Sequence, residues 1–154
     1  MIERNLNNHQ IETPSVLNPL YKILVLLLVL FHNKSSKGAK IGRLQICLWG
    51  MCGNHNKQIL LEYKKSGEIS EMPITPDPHL RIILAFAEQK GWIVQVVDGK
   101  TYSRYKITNQ GSTMLYNLRS LNIYKEIEEG LSEIVGIPDT KIDNINYVWT
   151  NDIF

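Results

Sequence analysis

The 154-residue sequence predicts an α+β fold, mostly helical with one two-stranded β-hairpin. Three observations carry that expectation. Apolar residues recur at helical spacing over most of the chain, as in Ile41, Leu44, Leu48 and Met51. Between Trp92 and Thr108 the pattern switches from the helical repeat to strict alternation. Asp98-Gly99, a favoured hairpin pair, sits in the middle of that stretch.

Residues 1–16 are polar and Asn-rich, and read as a flexible N-terminal arm without a secretory signal. Asn18-Pro19 marks a helix start, with Pro at the first helical position. The helix runs to about Phe31 and includes nine apolar residues in succession, Ile23 to Phe31. A membrane span needs about 20, so this reads as a helix buried all round, with Leu24, Leu27, Leu28 and Phe31 expected to meet a partner as well as the core. Asn33 to Lys40 reads as a loop. A second helix covers about Ile41 to Met51, and a short third one Lys57 to Lys65. Asp77-Pro78 opens the next helix with a carboxylate cap, and Lys90-Gly91 closes it.

The hairpin follows. Tyr102, Arg104 and Lys106 fall on one face of its second strand, Thr101 to Thr108, with Thr101, Ser103, Tyr105 and Ile107 on the other. Helical spacing returns at Met114 and continues to Ile134, with a possible break at Asn122. Gly136 and Pro138 end it. A hairpin is marginal alone and must pack on helices. Helices, a tight hairpin, then helix is the order of a winged-helix domain, here spanning 17–136, with the hairpin as wing. Residues 137–154 read as a C-terminal docking tail, in which Ile145, Tyr147 and Trp149 alternate and Phe154 ends the chain.

Composition narrows the function. Apolar residues make up 44% and charged residues 21%, which excludes global disorder and fibrous classes. A net charge of +2 does not by itself imply nucleic-acid binding. Cys47 and Cys52 are too close to staple much chain and suit a reduced, cytoplasmic protein. No catalytic or cofactor motif stands out. Gly99-Lys100-Thr101 resembles the end of a phosphate loop, but Val94 replaces the required glycine and a strand follows instead of a helix. Cys52 and His55 lack the second ligand pair that structural zinc needs. No catalytic residue, metal or cofactor is therefore expected, and no small-molecule substrate or membrane partner.

Basic residues fall in two groups: Lys37, Lys40 and Arg43, and Lys100, Arg104 and Lys106. Both are candidates for nucleic-acid phosphate. The helix before the hairpin is a poor base reader. Its outward side offers His79, Arg81, Glu88, Gln89 and Lys90, with Ile82 adding apolar surface, where a reader carries several Arg, Asn, Gln or Ser. Protein binding is favoured over sequence-specific DNA reading.

Some stretches resemble a known family. Leu44-Gln45-Ile46-Cys47-Leu48-Trp49 on the second helix is similar to the Leu-Gln-x-x-Leu-Trp run of the middle components of bacterial ABC-three-component systems. Asp77-Pro78-His79-Leu80, Lys90-Gly91-Trp92-Ile93 and Tyr105-Lys106-Ile107-Thr108-Asn109-Gln110-Gly111 extend the resemblance over roughly 19–136. It implies a small non-catalytic subunit linking an SMC-like ABC ATPase to an effector protein in anti-phage or anti-plasmid (Lamassu-like) defence, with possible contact to double-stranded DNA through the complex. The alternative is a winged-helix transcription regulator.

Overall fold

A computed structural model describes residues 18–33, 35–68, 77–98 and 102–145. Its elements are α1 (Pro19–His32), β1 (Ala39–Lys40), α2 (Ile41–Gly50), α3 (Asn54–Ser66), α4 (Leu80–Gln89), β2 (Ile93–Asp98), β3 (Tyr102–Ile107), α5 (Asn109–Leu118) and α6 (Asn122–Ile134). Residues 139–145 form a further short helix, α7. The α+β expectation holds.

Helix α1 is the centre of the molecule. The Asn18 side chain caps it by accepting the Leu20 N–H at 2.9 Å, and Pro19 costs nothing where no intrahelical donor is needed. Every residue from Tyr21 to Leu30 is buried. Helices α2, α4, α5 and α6 and strand β3 all pack against it. This corrects the expectation that Leu24, Leu27 and Leu28 await a partner: the chain's own elements cover them to 1% exposure or less. Of the four residues singled out on this helix, only Phe31 is open to solvent, at its C-terminal end.

Burying α1 on all sides also buries Lys22, whose ammonium would be costly alone. Asp77 answers it at 2.6 Å, at the start of the segment leading into α4. The same carboxylate accepts the His79 N–H. Burial by itself would raise the Asp77 pKa, but Lys22 and the His79 N–H outweigh it and hold it below the ordinary value.

The hairpin expectation is corrected by one strand. β1, read from sequence as loop, joins β3 to give an antiparallel sheet of order β1-β3-β2. Ala39 pairs with Tyr105 and Lys40 with Arg104, while Ile93 to Asp98 pair with Ile107 to Tyr102. Gly38, at φ +93°, brings β1 against the Tyr105 carbonyl, where a Cβ would clash. Two residues are too few for an alternating pattern to reveal a strand.

The stretch from Tyr105 to Gly111 owes its residues to packing. Tyr105 lies in the core on the inner sheet face. Thr108 caps α5, its hydroxyl donating to the Gly91 carbonyl and accepting the Gly111 N–H at 3.0 Å. Any side chain at Gly111 would run into the Trp92 carbonyl, so glycine lets α5 start against the foot of β2. Helix α5 thus begins at Asn109, before the apolar spacing that starts at Met114.

The region after Gly136 is also corrected. It is not a free tail from residue 137: Ile137, Ile142 and Ile145 are all in the core. Arg43 fastens this segment. Its guanidinium donates to the Val135 and Ile137 carbonyls at 2.8 and 2.6 Å and to the Asp139 carboxylate at 2.7 Å. Tyr147, Trp149 and Phe154 lie outside the described residues.

Candidate functional site

Two surfaces carry the chemistry that the sequence singled out. The first is the outer face of the sheet. Because β1 pairs with β3, the two basic groups that are far apart in sequence meet. Lys40 stands directly opposite Arg104, and Lys106 follows two positions along the same face of β3. Lys37 is exposed in the turn leading into β1. Like charges facing each other across a ladder repel. Part of that is offset, since Lys40 lies 3.3 Å from Asp143 and Arg104 donates to the Gly38 carbonyl at 3.2 Å. Arg43 does not join this face. Its guanidinium is committed to the 135–139 turn, so the expectation that it contacts nucleic acid is corrected. Lys100 lies outside the described residues.

The second surface is the outward side of α4. Leu80, Ile83, Leu84 and Ala87 face the core. Arg81 and Glu88 flank that stripe on the side of β3, close enough to act on the Tyr105 hydroxyl, whose pKa is raised by burial and then by Glu88, with Arg81 opposing. On the opposite side Ile82 is 69% exposed and Phe86 41% exposed. They are one turn apart and so adjacent. Phe86 packs edge-on to Trp92 at 5.9 Å, and Lys90 sits over its ring at 5.5 Å. Ala85 and Gln89 complete this exposed strip. Beside its two large apolar side chains it offers one amide, from Gln89, and the Lys90 ammonium at its end.

The protein also has an open groove of about 970 Å³ between the start of α1, the α2–α3 turn and the first turns of α6. Tyr21, Cys52, Asn54, Lys57 and Glu126 are among its polar groups. Tyr21 donates to the Met51 carbonyl, and burial, followed by Cys52 and Glu126, pushes its pKa up to about 12. Lys57 is paired with Glu133 at 2.8 Å. The Cys52 thiol is raised by burial and then by Asp77, and burial pushes Cys47 up to about 12. Neither is a poised thiolate at neutral pH. Among the described residues no group of His, Cys, Asp or Glu is placed to hold a metal ion. No helix among them is long and apolar enough to cross a membrane.

The Leu44-Gln45-x-x-Leu48-Trp49 run is mostly interior. Leu44, Ile46, Cys47 and Leu48 are buried, while Gln45 and Trp49 are half-buried. Comparison with protein-family models, curated proteins and solved structures finds no match.

Proposed function

We propose that this chain is a non-catalytic binding subunit of winged-helix architecture, docking a protein partner on the outward side of α4. The observation that carries the reading is the pair Ile82 and Phe86, exposed on the helix that would read DNA in a regulator of this architecture. Aromatic and aliphatic anchors suit a protein interface; base edges need paired donors and acceptors. A helix-to-hairpin order with a third strand closing the small sheet supports the winged-helix reading. The resemblance at Leu44 to Trp49 and Asp77 to Leu80 points to the kind of complex: an SMC-like ABC ATPase, an effector and this adaptor between them. Phe31 and the terminal aromatics Tyr147, Trp149 and Phe154 are further contact points in the same proposal.

The test is co-purification of the full chain with the products of its neighbouring genes. Ile82→Asp combined with Phe86→Asp abolishes association and leaves the fold intact. Association undiminished by the double change would overturn the reading.

The basic sheet face favours a second reading, a DNA-binding regulator with Lys40, Arg104 and Lys106 on phosphate. Changing all three to Ala then weakens binding equally on any DNA sequence and lowers the salt dependence by up to about three phosphate contacts. DNA affinity of the assembled complex that does not respond returns this face to the role of a solvated, internally braced sheet.

A further inference from the structure

We propose that β2 pairs edge to edge with β2 of a second copy of this chain, joining the two sheets antiparallel about a twofold axis. Among the described residues β2 has β3 on one side and no strand on the other. An unpaired edge invites a strand unless it is blunted by proline, lysine or a bulge. The segment Ile93-Val94-Gln95-Val96-Val97-Asp98 has no proline and no basic residue, and pairs with β3 without interruption. Val94 is 45% exposed and Val97 is 73% exposed.

The hydrogen-bond phase defines what the edge offers. The Trp92 carbonyl accepts the Thr108 N–H at 2.9 Å, in the same register as the Ile93–Ile107 pair. Antiparallel ladders alternate. Residues 94, 96 and 98 therefore turn their backbone groups toward β3, and Ile93, Gln95 and Val97 turn theirs to the open edge. The three outward residues are symmetric about Gln95. A second β2 rotated by half a turn places Gln95 opposite its own equivalent and Ile93 opposite Val97, each pair exchanging both backbone bonds.

The side chains in that register match the same occupant. On one face Val94 meets Val96 of the other copy. On the other face Val97 stands opposite Ile93, whose side chain already lies in its own core, so the contact there is made by the two Gln95 amides, each able to donate and accept. No charged side chain among the described ones on β2 enters the junction. The cations on β3 lie three strand spacings from their equivalents, about 14 Å. That exceeds the screening length of about 8 Å at physiological salt, so their repulsion is weak.

Sedimentation of the full chain over a range of concentrations tests the proposal. The natural sequence is expected to sediment as a dimer. Gln95→Pro removes an N–H that faces away from β3, so the hairpin is kept while both bonds of the central pair are lost. It is expected to weaken dimerisation about 30-fold. Val97→Lys, a change at an exposed position, places a blunting charge on the edge and is expected to weaken it at least as much. A chain that is monomeric throughout overturns the proposal. A dimer that survives Val97→Lys undiminished also overturns it, whether or not Gln95→Pro folds.

Discussion

Helices α1 and α4 both carry more apolar residues than one buried stripe requires, and they use them in opposite ways. In α1 the surplus lies inside: ten consecutive residues, Lys22 included, are covered by the chain itself. In α4 the surplus lies outside, at Ile82 and Phe86. Apolar content alone therefore does not locate an interaction surface. What decides is how many elements surround the helix. Four helices and a strand enclose α1, whereas α4 rests one side on the core and leaves the other to solvent.

That contrast can be broken at both helices. The largest effect is expected at the centre of α1, where Leu28→Ala should cost about 3–4 kcal/mol in denaturant unfolding, by lost transfer energy and a cavity. Ile82→Ala should stay within about 0.5 kcal/mol. Similar losses at the two positions would mean that α4 is covered as α1 is.

Next in size is the ion pair that α1 requires. Asp77→Asn leaves the Lys22 ammonium buried without its counter-charge and should cost about 3 kcal/mol at neutral pH. The pH dependence has a definite sign. The folded pKa of Asp77 is depressed, so its stabilisation is present above the unfolded value of about 3.9 and is lost as pH falls through the folded value. The natural protein should lose stability on acidification below about pH 4 more steeply than the Asn variant, measured by unfolding midpoints across the acid range. Parallel curves would remove Asp77 from the account.

A smaller effect is expected at Arg43. Arg43→Ala strands two carbonyls and should cost about 2 kcal/mol, with Lys failing to restore it because it lacks the planar fork. Amide exchange in 135–145 should rise before the rest of the molecule opens. If only DNA affinity changed and exchange did not, Arg43 would belong to the basic face after all.

Much of this architecture was legible in the sequence because it rests on local signals. Asn18-Pro19 and the alternation of Trp92 to Ile107 each act over a few residues. What was not legible depends on contacts distant in sequence. The two-residue strand at Ala39 has no pattern of its own and exists because Tyr105 is there to pair with. The fate of Arg43 was set by carbonyls more than ninety positions away, so a basic residue in a basic cluster turned out to be an internal brace. Coverage of Leu24, Leu27 and Leu28 was hidden for the same reason: a helix buried all round reads alike whether its own chain or a partner buries it. The exposed side of α4 was visible in part, at Ile82, because helical spacing placed that residue off the core stripe.

The most direct measurement is amide hydrogen exchange on the full chain, free and in complex with its protein partner. The α4 amides at 80–90 should slow on binding, while 21–30 in α1, already enclosed, should not change. Slowing confined to β1 and β3, with α4 unaltered, would contradict the account and assign the interaction to the basic sheet face instead.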